Sequence, residues 1–258
     1  LENRVRAYFD VNCSHCHGNG NGGTAQLRLQ YNLNLEQTGL LGGELTQGGF
    51  GIQQPRIVAA GDPYRSVLYY RMSKLGKGQM PHIGAHVLDE AGLLLIHDWI
   101  LSLPAAANEQ ASEARELASA RSKQLHNLEK LKSGNRANPN ALHKLLETPS
   151  GGLMLQHGLL VRDFSAGTRQ DIIRAAAELE NPLVRELFLH FLPEEERPTQ
   201  VDHNPSHILA IAGDSRNGER LFFADKRLQC RLCHQVGDRG IAVGPQLKGI
   251  GRTAKPSD

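Results

Sequence analysis

All four cysteines of this 258-residue chain belong to two copies of one pattern, Cys13-Ser14-His15-Cys16-His17 and Cys230-Arg231-Leu232-Cys233-His234. Chance gives C-x-x-C-H only about a few times in a thousand chains of such composition, and two copies that exhaust the cysteines far less often. Two thiols three positions apart, followed at once by an imidazole, suit covalent attachment of c-type haem. The sulfurs add to the two vinyl groups and the histidine ligates iron from one face. The spacing therefore predicts two covalently bound haem c groups. Cys13, Cys16, Cys230 and Cys233 are the expected attachment residues, and His17 and His234 the expected iron ligands.

Three other chemistries use paired cysteines. A structural zinc site draws its ligands from halves close enough to form one small module, whereas about 210 residues separate these motifs. A thioredoxin-like dithiol follows a strand in a βαβ unit, and nothing β-rich precedes either motif. A disulfide framework has no need of the two-residue spacing or of the histidine that follows.

Composition narrows the partners. At 40% hydrophobic and 22% charged the chain is ordinary globular material. Its formal charge of +2 leaves out the haem propionates, so nothing argues for nucleic acid. The longest apolar run, Gly92 to Leu101, is broken by His97 and Asp98 and is too short to span a bilayer, so no membrane span is expected. Because c-type haem is attached on the outer side of the bacterial cytoplasmic membrane, the motifs imply a periplasmic or otherwise exported protein.

Three segments follow. The first, 1–104, has the layout of a haem domain. An amphipathic stretch with Val5, Tyr8 and Phe9 on one side leads into Cys13. The Gly- and Asn-rich stretch from Gly18 to Gly61 reads as loop. Asp62-Pro63 reads as N-cap and first residue of a helix running through Met72. Met80, between Gly78 and Pro81, is the expected sixth ligand, on the iron face opposite His17, because it lies off any apolar helical face on a loop fixed by proline. His82 and His86 are its nearby competitors, and Met72 reads as core. The segment closes on a helix capped by Asp89 with Leu93, Ile96, Ile100 and Leu103 on one face, expected to pack across the first helix.

The second segment, 105–205, reads as a helical spacer without chemistry of its own. Ala105 to Lys132 suggests a long exposed helix. Thr168 to Glu180 places Ile172, Ile173, Ala176 and Leu179 inward, and Asn181-Pro182 caps a partner helix carrying Val184, Leu187, Phe188 and Phe191. Its histidines, His143, His157 and His190, read as surface or capped residues rather than ligands. The third segment, 206–258, opens at the N-cap Asp214. Gly218 and Phe222 sit one turn apart ahead of Cys230, the glycine permitting a close helix crossing. After the motif, the carbonyl of Pro245 is placed to hold the free ring nitrogen of His234. No methionine follows Met154, so the sixth ligand of the second haem is a histidine such as His203 or His207, or an open position.

Gly218-x-x-x-Phe222, Cys230-x-x-Cys233-His234 and Gly244-Pro245-x-Leu247 together resemble class I cytochrome c. More narrowly, they resemble the haem-binding C-terminal domain of large planctomycete and verrucomicrobial proteins. Those proteins often carry a helical-repeat stretch similar to Asn181–Phe188 with Phe191-Leu192-Pro193. The first segment resembles another cytochrome c-like family through Asp10-Val11-Asn12-Cys13-x-His15-Cys16-His17, Gly61-Asp62-Pro63, Tyr70-Arg71-Met72 and Met80-Pro81. It departs from that family at His82, where a proline or glutamate is usual.

The resemblance implies an all-α chain: two cytochrome c-like haem domains, the second truncated, joined by a helical, HEAT-like spacer. The function it implies is that of a dihaem c-type cytochrome fragment moving single electrons, within or beside a larger periplasmic dehydrogenase or respiratory chain. Its partners would be redox proteins or a fused dehydrogenase domain, and the chain itself would do no bond chemistry. Two rivals are a dihaem peroxidase-like enzyme with one open haem and a haem-based sensor or scaffold.

Overall fold

The computed structural model describes residues 1–18, 25–82, 87–104, 111–197, 209–225, 230–242 and 244–254; His86, His203 and His207 lie outside them. The chain is mostly helical, and the sheet among these residues is one two-stranded hairpin. No helix among the described residues is long and apolar enough to cross a membrane. Two compact units form, Leu1–Tyr8 with Gly39–Arg197 and Phe9–Thr38 with Pro198–Asp258. Helix α1 (Glu2–Asn12) begins in the first and ends in the second, burying Val5 and Phe9, and the one-turn α2 (Leu35–Thr38) belongs to the second.

In the first unit Asp62 caps as its sequence suggests, its Oδ1 accepting from the Tyr64 N–H at 3.1 Å. The single helix expected from Pro63 to Met72 is, however, two pieces: a 3-10 turn, Pro63–Arg65, and α3 (Val67–Met72). Ser66 separates them with an extended backbone. The flanking groups bond sideways, Val67 N–H to Arg56 O at 2.8 Å and Arg56 N–H to Arg65 O at 3.1 Å. Helix α4 (Glu90–Ser102) starts where expected, the Asp89 Oδ1 accepting from Gly92 N–H at 2.9 Å, and buries Leu93, Ile96 and Ile100. It meets the first turns of α1 at Gly92. The Tyr8 hydroxyl donates to Asp89 Oδ2 at 3.0 Å, and a Cβ on Gly92 would collide with the tyrosine ring.

The stretch expected to be an exposed connector is packed at its end. In α5 (Ala111–Lys132) Leu128 and Leu131 are buried where the helix contacts α6 (Pro139–Leu146) and α7 (Pro149–Leu160). Asn138 and Thr148 cap α6 and α7, each followed by a proline whose missing N–H costs nothing at a helix start. Helix α7 is buried along almost its whole length, and Gly151 lets it lie against the Leu145 carbonyl, where any Cβ would clash. In α8 (Ala166–Ala177) Ile172 and Ala176 face inward, while Ile173, and Leu179 beyond the end of the helix, are half-buried. The partner helix expected through Phe191 shortens to α9 (Pro182–Arg185), followed by 3-10 turns at Leu189–Phe191 and Glu194–Glu196. Tertiary bonds end it: Leu75 N–H takes the Glu186 carbonyl at 3.2 Å, and Gln156 Nε2 takes that of Leu187 at 2.6 Å.

Buried polar contacts tie residues 62–90 to residues 148–190 within this unit. Ser150 Oγ donates to Tyr64 O at 2.8 Å, Tyr70 Oη to Leu183 O at 2.8 Å, and Gln156 Nε2 also to Ser73 O at 2.6 Å. Lys74, 3% exposed, sets its ammonium 2.5 Å from Glu186 Oε2 and donates to Lys77 O at 2.7 Å. The stretch read as a spacer is thus docked on the preceding residues through groups that would be costly to leave unpaired.

The second unit carries α10 (Ser215–Ala224), capped by Asp214 Oδ1, which accepts from Arg216 N–H at 3.0 Å and Asn217 N–H at 3.1 Å. No described atom lies within 4 Å of a Cβ built on Gly218, so the close crossing expected there is not made by the described residues. Strands β1 (Gln235–Val236) and β2 (Arg239–Gly240) form an antiparallel hairpin, turning at Gly237 with φ +64°. Arg239 fastens the hairpin to α10, pairing with Glu219 at 2.6 Å and stacking 3.7 Å over the Phe223 ring. The one-turn helix α11 (Ile250–Thr253) follows.

Candidate haem-attachment sites

The two C-x-x-C-H motifs fold into the same turn. In the first, the N–H groups of Cys16 and His17 donate to the Cys13 carbonyl at 3.1 and 2.8 Å. In the second, those of Cys233 and His234 donate to the Cys230 carbonyl at 3.2 and 2.9 Å. Residues at i, i+3 and i+4 of such a turn share one side, so each motif offers its two sulfurs and its imidazole together.

The first turn grows directly out of α1. Cys13 N–H donates to Phe9 O at 2.8 Å, and Ser14 Oγ donates to Asp10 O at 2.6 Å. The returning chain is held by Leu29 N–H on His17 O at 2.8 Å and Tyr31 N–H on Asp10 Oδ1 at 3.0 Å. Burial, then the neighbouring Cys16, pushes the Cys13 thiol up to about 12. The Cys16 thiol lies beside that of Cys233, and burial followed by this neighbour pushes it up to about 11.

The second turn is wrapped by the residues after it. Ile241 N–H donates to Arg231 O at 2.9 Å, and Gly244 N–H to Cys233 O at 2.6 Å. The His234 imidazole meets the carbonyl placed for it in the sequence, with Nδ1 3.0 Å from Pro245 O. A carbonyl only accepts, so the proton sits on Nδ1 and the lone pair on Nε2 is left for a metal. Gly244 makes room for this ring, since a Cβ there would come within 2.7 Å of Cε1 and 2.9 Å of Nδ1. These donors suit a covalently held haem: paired thiols on one turn and an imidazole oriented by its second nitrogen.

Met80 belongs to the first unit, whereas Cys13, Cys16, His17, Cys230, Cys233 and His234 belong to the second. Its half-buried loop is fixed by Arg71, whose carbonyl accepts from Met80 N–H at 2.9 Å and whose Nε donates to Gly78 O at 2.7 Å. Phe50 closes this loop from the other side, 5.2 Å from the Tyr70 ring and against Gly78. Arg71 and Phe50 were not legible as loop supports, because neither stands at a spacing that signals its partner. His82 is exposed, His143 pairs with Glu147 at 3.4 Å, His190 bonds Glu90 at 2.9 Å, and His157 stacks on His97.

Among the described residues no three His, Cys, Asp or Glu side chains converge as a metal-binding group. Comparison with protein-family models, with curated proteins and with solved structures found no match to this chain.

Proposed function

We propose that this chain is a segment of a dihaem c-type cytochrome that passes single electrons between redox partners outside the cytoplasm, on two cytochrome c-like haem sites. The observation that carries the reading is the pair of C-x-x-C-H turns with the same hydrogen bonds, the second with its imidazole held by Pro245. Bound haem supplies reversible one-electron chemistry at iron.

The chain's own residues do the rest. Cys13, Cys16, Cys230 and Cys233 anchor, and His17 and His234 present ring nitrogens. The Pro245 carbonyl keeps the His234 proton on Nδ1 and so leaves the Nε2 lone pair to face a metal. Burial and neighbouring cysteines push the Cys13 and Cys16 thiols up to about 12 and about 11, so both are held as thiols near neutral pH. Met80, on a loop braced by Arg71, would offer a thioether as a sixth ligand, which would raise the potential of the haem it bound.

Potentiometric titration of the haem-loaded protein tests this, with two reversible one-electron steps as the expected result. In Met80→Ala one step moves to lower potential and a methionine–iron charge-transfer band disappears, while the other step stays in place. An unchanged spectrum removes Met80 from the ligand set. Gly244→Ala is expected to push the His234 ring off the Pro245 carbonyl and to perturb only the second haem, seen as a shift of its potential or a loss of its covalent attachment. Equal effects on both haems would contradict that assignment.

A further inference from the structure

The first unit contains a stacked pair of histidines that the electron-transfer reading does not use. His97 on α4 and His157 on α7 lie face to face, ring centroids 3.7 Å apart and 15° from parallel. His97 is 4% exposed. Its Nε2 is 3.1 Å from the Tyr64 hydroxyl, and its Nδ1 is 3.2 Å from Asp98 Oδ1. Asp98 can only accept as a carboxylate, so Nδ1 carries the proton and Tyr64 donates to Nε2. The neutral ring is thereby satisfied at both nitrogens. His157 Nδ1 is buried without a hydrogen-bond partner among the described residues.

The surroundings give little compensation for a positive charge. Tyr69 on α3 packs its ring 5.7 Å from His97, and Tyr64 lies 6.5 Å from His157. Arg121 of α5 stacks on Tyr64 and pairs with Asp62. Asp98 and Asp163 favour protonation of His157, whereas Lys132 and His97 oppose it. Asp163 is already paired with Lys132 at 2.8 Å, and Asp98 is largely exposed to water.

We propose that the His97–His157 stack is an acid-sensitive latch: neutral rings hold α7 against α4, and protonation of either ring releases that contact. The electrostatics run the same way. Burial, then the neighbouring His97, brings His157 from 6.5 down to about 4, and burial lowers His97 as well. A group that binds protons less readily when docked gives its full stabilisation above the free value of 6.5 and loses it as pH falls toward about 4. Acid therefore opens the latch, and alkali leaves it closed.

Hydrogen exchange read by mass spectrometry on the full haem-loaded chain, corrected for intrinsic rates, tests the proposal. Between pH 7.5 and pH 5, protection of α4 and α7 amides is expected to fall on the order of tenfold, discounting for the partial exposure of His157. In His157→Phe, which keeps a flat ring that cannot be protonated, this fall shrinks to the part that His97 alone contributes. His157→Gln serves in its place if circular dichroism at pH 7.5 shows that the phenylalanine variant misfolds. An acid response unchanged in the variant, or no loss of protection in the wild type, would overturn the latch.

Discussion

Replacing Cys230 and Cys233 together by serine is expected to leave exactly half of the covalent haem, one group per chain held at Cys13 and Cys16. The reciprocal pair, Cys13→Ser with Cys16→Ser, should leave one group at Cys230 and Cys233. Serine keeps the size and the backbone bonds of each turn, which run through the Cys13 and Cys230 carbonyls and not through the sulfurs. What it removes is the thiol that adds to a vinyl group. The backbone bonds of each turn run within its own motif, the first built on α1 and the second braced by Pro245 and Gly244, so each turn is expected to keep its shape although the Cys16 and Cys233 thiols lie side by side. Haem staining after denaturing electrophoresis and the pyridine haemochrome spectrum read the count. Loss of both haems in either variant would mean that the motifs act as a single site, as a zinc cluster or a coupled dithiol would.

The largest effect on stability is expected at Glu186. Its carboxylate is the counter-ion of Lys74, whose side chain is 2% exposed and which points at the Lys77 carbonyl and the Tyr70 ring, 5.6 Å away. Glu186→Gln leaves that ammonium buried without its anion. Breaking one partner of a buried pair costs about 3–5 kcal/mol, because the remaining charge cannot be rehydrated. For a chain of this size the melting temperature should fall on the order of 10 °C. The double variant Lys74→Met with Glu186→Leu should recover most of the loss, since an apolar pair of similar volume is often as stable as the ion pair. Urea unfolding of the four species as a cycle gives the coupling directly. A Glu186→Gln loss below about 1 kcal/mol would show that Lys74 reaches water after all.

What could be read from the sequence was local. The caps Asp62, Asp89 and Asp214 each bond an N–H two or three residues on, a contact fixed by sequence neighbours alone. The His234–Pro245 contact spans only eleven residues and closes around Gly244, so motif and brace could be read together. Longer-range features were less visible. Helix α7 is buried on nearly all sides, and a helix without a polar face has no 3.6-residue alternation to reveal it. The early end of α9 depends on Leu75 and Gln156, which are remote in sequence. His97 registered only as an interruption of an apolar run and His157 as a lone histidine. Their stacking is a property of two helices meeting, and no spacing in the chain announces it.

Both C-x-x-C-H turns are expected to carry covalent haem. Intact-protein mass spectrometry under denaturing conditions, on protein produced where c-type haem is attached, tests it most directly. Thiol addition to a vinyl group expels nothing, so the expected chain is heavier by two whole haems, with no free thiol left to alkylate. A chain of unmodified mass with four alkylatable cysteines, or one that retains zinc under native conditions and no haem, would contradict it.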